Sequence, residues 1–312
     1  MNLNYWQRLS RFSDIIYEPK QHLLFAGLWF LSLQGLFVLL STAAVWHWSL
    51  STVGSILTLF GVLFVLRAID EVKDLEYDKK YNPDRPLVSG VVSATDIRSY
   101  VLFGTLIVAT ANSFIALPLS LFIAVNVGYG LLLMWLEKTM PLMDKSMFFN
   151  LIITYPVSIA LSFYTLLQTQ HSQHTTISTG MLLAIGCYVL AFLHFEIIRK
   201  SMWEHLSDPE EKLYSGEIGC KQALLVASLF GAGAVAGILL LFKPWNLTGF
   251  AAVTGWLPLI NLIFIVLSLR LFVTNRSQRF NPRKFSVPYI VCFYSLNLIH
   301  GLTWNQHSFG HF

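Results

Sequence analysis

The 312-residue sequence predicts an all-α, polytopic membrane helical bundle of about nine transmembrane helices, forming a single integral domain over 1–312. Three observations predict it. Apolar runs near 20 residues recur along the chain, each long enough to cross the hydrocarbon core as a helix. Hydrophobic residues make up 55% of the chain and charged residues 12%, with a mean hydropathy of +0.59. The charge that exists is gathered into short segments between the apolar runs, without a low-complexity tract or interdomain linker.

The expected spans are 22–45, 49–69, 97–115, 117–136, 147–167, 181–199, 220–242, 247–272 and 286–304. The first is too long for the core of a cleaved signal peptide, so a retained span and a mature start near Met1 are expected. Lys and Arg are held on the cytoplasmic side of short loops, which sets the orientation. With the N-terminus inside, every one of the 21 Lys and Arg residues except Lys243 lies inside, together with all 17 acidic residues. The opposite loops, 46–51, 112–118 and 168–180, carry no formal charge. An odd number of spans then places the C-terminus on the opposite side. The charged segments on the N-terminal side are 70–98, 137–146, 196–221 and 276–284.

The net charge of +4 follows from this bias. Its basic residues are spread over separate segments, so a nucleic-acid partner is not expected. Cys187, Cys220 and Cys292 show no CxxC spacing and read as apolar filler. His171 and His174 lack a nearby acid or Cys and read as solvated. His194, two residues before Glu196, is a candidate base, with a packed histidine as the blander alternative.

The chemistry concentrates in two loops. The first reads Asp70-Glu71-Val72-Lys73-Asp74-Leu75-Glu76-Tyr77-Asp78, continuing through Asn82-Pro83-Asp84-Arg85-Pro86-Leu87-Val88-Ser89-Gly90. Positions 70, 74 and 78 drift by only about 40° per step around a continuous helix, so their carboxylates would line one face, with Glu71 about 100° around. Oxygen donors so arranged suit Mg²⁺, which takes one or two carboxylates and completes its shell with water and substrate phosphates. A diphosphate ligand is implied. The competing interpretation is a solvated loop whose acids pair with Lys73, Lys79 and Lys80.

The second loop reads Glu196-Ile197-Ile198-Arg199-Lys200, then Glu204, Asp208, Glu210, Glu211 and Tyr214-Ser215-Gly216-Glu217-Ile218-Gly219. Its positions 196, 200 and 204 keep a four-residue spacing. Lys200 in the middle cannot ligate a metal at neutral pH, but it can neutralise phosphate oxygens. The competing interpretation is a helix end with Glu196 paired to Lys200.

These motifs resemble the UbiA superfamily of intramembrane prenyltransferases, whose first motif reads NDxxDxxxD and is followed by a loop with DRPL and a glycine end. The resemblance covers the nine-span layout and both charged loops. Asp74 and Asp78 match, whereas Asp70 stands at the usual Asn and Glu71 at the usual Asp; both changes keep oxygen donors. The second motif of the family is commonly DxxxD, and here its letters are Glu, Lys, Glu, so a modified second metal site or none is expected.

The resemblance implies Asp70, Glu71, Asp74, Asp78, Glu196 and Lys200 as catalytic-site residues. It makes Asp70, Asp74, Asp78, Glu196 and Glu204 the candidate metal ligands. Arg85, Lys138, Arg199, Lys200 and Tyr214 are the candidate diphosphate contacts. Lys138 is equally explained as a snorkelling residue, and Arg276, Arg279, Arg283 and Lys284 read as lipid-facing.

The activity implied is Mg²⁺-dependent cleavage of a prenyl diphosphate to an allylic carbocation. Capture by an aromatic or other membrane-soluble acceptor makes a prenyltransferase, the commoner activity in the superfamily. Capture by an internal double bond makes a terpene cyclase, and the sequence leaves both open. A transporter or receptor is disfavoured because the acids cluster at one face and no span has charge near its midplane. The partners implied are a prenyl diphosphate, a hydrophobic acceptor and membrane lipids. The 24 Phe, 12 Tyr and 9 Trp residues allow cation–π stabilisation, though most such rings in a bundle face lipid.

Overall fold

The computed structural model describes residues 3–41, 46–207, 211–274 and 283–309. Asp208, Glu210, Arg276 and Arg279 lie outside the described residues, as do the side chains of Lys138 and Arg283. The described residues form helices α1 (Tyr5–Phe12), α2 (Pro19–Leu39), α3 (Leu50–Lys73), α4 (Leu75–Tyr81), α5 (Ala94–Ser113), α6 (Leu117–Thr139), α7 (Pro141–Lys145), α8 (Met147–Thr154), α9 (Pro156–Gln173), α10 (Thr179–Arg199), α11 (Tyr214–Ile218), α12 (Cys220–Phe242), α13 (Gly249–Trp256), α14 (Asn261–Thr274) and α15 (Arg283–Phe309). No strand occurs among them.

Eight stretches among the described residues are long and apolar enough to cross a membrane: Pro19–Leu39, Leu50–Lys73, Leu117–Glu137, Met147–Gln173, Thr179–Arg199, Cys220–Asn246, Gly249–Arg270 and Lys284–Trp304. The protein is an integral multi-pass membrane protein. The remaining expected span coincides with α5, whose polar ends, Asp96, Arg98, Asn112 and Ser113, lower its hydropathy. Leu102, Phe103, Leu106 and Ile107 nevertheless leave α5 as exposed as the apolar residues on the other spans, the surface expected of a helix facing lipid.

Two expected spans are broken rods. The fifth is interrupted at Tyr155 between α8 and α9, because Pro156 restricts the residue before it and cannot donate a helical hydrogen bond. The eighth passes through a 3₁₀ turn, Leu257–Ile260, that contains Pro258. Helix starts follow capping chemistry: Ser49, Ser93 and Ser178 accept from the backbone N–H groups of Thr52, Asp96 and Met181.

By its internal packing the chain divides into two compact units. The first comprises Met1–Phe30, Trp48–Asp144 and Ile153–Gln168; the second comprises Leu31–His47, Lys145–Ile152 and Thr169–Phe312. Each unit holds one of the two charged loops.

Within the first unit, α3, α5 and α6 pack through small residues. A β-carbon at Gly61 would approach Val108 to 2.6 Å, and one at Gly104 would approach Val65 to 2.7 Å. Close backbone approach of this kind substitutes for the hydrophobic drive that lipid removes. At the end of α3 that carries the charged loop, a cluster of Phe12, Ile16, Ala68, Val92, Ile97 and Tyr100 has Leu87 and Val91 packed against it. Leu87 and Val91 therefore anchor the segment after Arg85 to a core.

The lid of that core is α1. Arg8 donates from Nε and Nη2 to Asp96 at 2.9 and 2.8 Å, and Ser93 donates to Asp96 from its backbone N–H and its hydroxyl. The Arg8 hydrogen bonds, with those from Ser93, hold the Asp96 carboxyl down at about 2. Asp96 thereby closes a capping box for α5 and tethers α1 with the same side chain.

Candidate active site: a clamped and a loosely paired set of carboxylates

The first charged loop sits at the end of α3. The helix does not run through positions 70, 74 and 78 as expected. It stops at Lys73, and Asp74 takes φ −86° and ψ 4° as a bend before α4 resumes at Leu75. Asp78 meets a different cation from Asp70 and Asp74. Local hydrogen bonds stabilise the turn, since Asp74 N–H still donates to Asp70 O at 2.8 Å.

The carboxylates then separate into two sets. Glu71 and Asp78 are buried, and one Arg85 nitrogen, Nη1, donates to Glu71 Oε1 at 2.6 Å and to Asp78 Oδ2 at 2.7 Å. Asn82 donates to the other Asp78 oxygen at 2.8 Å, and Arg67 lies 3.3 Å from Glu71. The second set is Asp70 and Asp74, with side chains 44% and 39% exposed. Their cation is Lys73, whose Nζ lies 3.5 Å from Asp70 and 3.8 Å from Asp74, both longer than an ordinary hydrogen bond. Lys79 pairs with Glu76 at 2.7 Å in full solvent, a contact of little energetic weight.

Beyond Arg85 the chain makes a compact turn. Ser89 N–H donates to Arg85 O, Val92 N–H donates to Pro86 O, and Gly90 takes φ +75°, a conformation that favours glycine. The DRPL segment is thus a latch: Arg85 reaches back to the carboxylates while Leu87 enters the cluster under α1.

The second loop follows a helix end. Helix α10 ends at Arg199, and residues 201–203 are irregular, so 196, 200 and 204 do not share a helix face. Tyr214 N–H donates to Lys200 O at 3.0 Å and Ser215 accepts from Met202 N–H, which turns the chain away from the helix axis. Glu196 is held on both oxygens, by Lys200 at 3.1 Å and by Arg199 at 2.6 Å. Glu204 sits in an exposed 3₁₀ turn. The Tyr214 side chain is buried, with its ring 5.0 Å from that of Phe148. Burial, with Glu196 near, pushes its hydroxyl above the usual range. His194 is packed, with Nδ1 2.8 Å from Ala227 O and its ring against Tyr289.

No protein-family model matches the chain, and no curated protein sequence matches it. Solved structures do. A UbiA homologue from Aeropyrum pernix K1 superposes with a TM-score of 0.60 at 17% identity, over 90% of this chain and 98% of that one. A UbiA homologue from Archaeoglobus fulgidus bound to DMAPP and Mg²⁺ gives 0.60 at 15% identity, over 90% and 97%. A digeranylgeranylglyceryl phosphate synthase gives 0.61 at 14% identity, over 95% and 99%. The chain has the UbiA fold.

On this UbiA fold, the first loop brings Asp70 and Asp74 to one cation and Glu71 and Asp78 to another. The second loop brings Glu196, Arg199 and Lys200 together. Three partners escaped the sequence reading. Arg67 and Asn82 each stand four residues from the carboxylate they meet, a spacing that flags them in retrospect. Glu137, 3.4 Å from Lys73 Nζ, carried no such signal, because only the packing of α6 beside α3 brings it there.

Among the described residues, no three His, Cys, Asp or Glu side chains form a ready metal cage. Mg²⁺ needs only one or two protein carboxylates, with water and substrate phosphates supplying further oxygens. Asp70 and Asp74 fit it: both are oxygen donors, both are partly open to water, and both already face one positive charge.

Proposed function

We propose that this chain is a Mg²⁺-dependent prenyltransferase that moves a prenyl group from a prenyl diphosphate to a membrane-soluble acceptor. The single observation that carries the reading is the split carboxylate cluster at the end of α3, with two acids locked by Arg85 and two held only at 3.5 and 3.8 Å from Lys73. It lies in a fold shared with a UbiA homologue solved with DMAPP and Mg²⁺.

In this reading Asp70 and Asp74 hold the ion, and Asp78 and Glu71 position them through Arg85. When bound, Mg²⁺ supplies positive charge against the departing diphosphate. Lys200 and Arg199 add cationic character toward phosphate oxygens, with Glu196 as their resting partner. Lys138 and Tyr214 are further candidate contacts. The apolar bundle keeps water from an allylic cation until a nucleophile captures it.

The test is incubation of the purified chain with Mg²⁺ and a series of prenyl diphosphates, first alone and then with lipid extract. Turnover that needs the extract is the expected result. Diphosphate release with a cyclic hydrocarbon product in its absence would instead select a terpene cyclase, and no release under either condition would overturn both. We further propose that the N-terminus and the charged loops face the cytoplasm with the C-terminus opposite, following the basic-residue bias. Single cysteines at the exposed positions 76 and 204 should then label from the same side; opposite labelling refutes the orientation.

A further inference from the structure

Lys73 Nζ stands 3.4 Å from Glu137 Oε2, 3.5 Å from Asp70 Oδ1 and 3.8 Å from Asp74 Oδ1. None of these is a short hydrogen bond, whereas both Arg85 contacts in the same loop are below 3 Å. We propose that Lys73 is a resident counter-cation of the Asp70 and Asp74 pair, and that Glu137 is a positioning residue that receives Lys73 when a divalent cation enters. The inference rests on the reading of Asp70 and Asp74 as the metal-binding pair.

Neighbouring carboxylates without a cation repel, and an ammonium at the last residue of α3 is also favoured by the helix dipole. A lysine therefore stabilises the empty pair. The same charge opposes an incoming ion, so it must withdraw before Mg²⁺ can take the two oxygens. Lysine suits such a move, being a compact charge on a flexible stem with rotatable donors; an arginine fork locked to two acids, like Arg85, does not.

Exposure sets the direction of the move. Asp70 and Asp74 are 44% and 39% exposed, whereas Lys73 and Glu137 are both 18% exposed. An ion arriving from water meets the aspartates first, and the lysine has its other acid on the more enclosed side. Glu137 Oε2 is buried and makes no hydrogen bond, so it gains one if Lys73 closes the 3.4 Å gap. Divalent cation binding at the aspartates and tightening of the α3 to α6 ion pair are in this way one event.

The test measures Mn²⁺ binding to the purified full chain without substrate, following free Mn²⁺ by electron paramagnetic resonance. Glu137→Gln should weaken Mn²⁺ binding several-fold, because Lys73 then stays on the aspartates. Glu137→Asp should restore most of it, which separates the effect from misfolding. In a Lys73→Met background the Glu137→Gln effect should largely disappear. An unchanged affinity in Glu137→Gln, or an equal loss in both backgrounds, would overturn the proposal. Mn²⁺ binding that survives Asp70→Asn combined with Asp74→Asn would defeat the underlying metal assignment instead.

Discussion

One nitrogen of Arg85 bridges Glu71 at 2.6 Å and Asp78 at 2.7 Å, two carboxylates from different helices that are both almost wholly removed from solvent. This bond pair joins the end of α3 to α4 across the bend at Asp74. It makes Arg85 first a structural cation. Any contact it makes with a diphosphate must share the guanidinium with these acids.

Removal of Arg85 leaves two buried acids facing each other. Arg85→Ala should destabilise the folded protein by about 3–5 kcal/mol, the usual cost of stranding a buried charge. Adding Glu71→Gln and Asp78→Asn to the same chain should recover much of that loss. Thermal unfolding in detergent of the single and triple variants is the measurement, and an Arg85→Ala protein as stable as the native chain contradicts the clamp.

The two sets of carboxylates should respond differently to neutralisation. Asp70→Asn and Asp74→Asn remove proposed metal oxygens from the partly exposed set, so each should lower turnover by roughly 100-fold or more with little change in melting temperature. Asp78→Asn breaks a buried bond to Arg85. It should lower the melting temperature as well as turnover, the latter by about 10- to 100-fold as a supporting residue does. Matched activity and stability profiles across all three variants would remove the distinction.

Lys200 tests the departure of the second loop from the DxxxD pattern. Lys200→Ala should weaken prenyl diphosphate binding, and Lys200→Asp should weaken it more at low Mg²⁺ but recover in part as Mg²⁺ is raised. The reason is the sign of the side chain: a carboxylate needs an added ion before it can face phosphate. Diphosphate affinity measured against Mg²⁺ for the three proteins decides it. Unchanged affinity in Lys200→Ala returns Lys200 to its observed role as a partner of Glu196 at 3.1 Å.

The tether of α1 should show in acid. Asp96 ionises at about 2 in the folded protein against an ordinary 3.8, chiefly through its hydrogen bonds to Arg8. A depressed folded value means the tether contributes fully above the unfolded value and is lost as pH falls from about 4 through about 2. Proteolysis near the N-terminus should therefore accelerate over that window in the native chain. Asp96→Asn should already show the faster cleavage at pH 7, and identical profiles for the two proteins would refute the tether.

The spans and the clustering of charge were legible in the sequence because both are one-dimensional properties. About twenty apolar residues must become a helix in lipid, whatever their neighbours, since the backbone has no other way to satisfy its hydrogen bonds. The two charged loops could be found for the same reason, and the pairing of Glu196 with Lys200 was visible as a local alternative. What the sequence alone mispredicted was continuity. An unbroken helix through 70, 74 and 78 assumed that four-residue spacing implies a common rod; the structure stops α3 at Lys73, within the motif.

The assignment of partners belonged to tertiary structure. Asp70, Glu71, Asp74 and Asp78 are chemically near-equivalent in the sequence, and only the returning DRPL latch and the neighbouring α6 make two of them clamped and two loosely paired. The physical reason is distance. Ion pairs and hydrogen bonds decay over a few ångströms, so their strength is set by where the chain comes back to meet itself, whereas hydrophobicity and net charge accumulate along the chain and can be read before it folds.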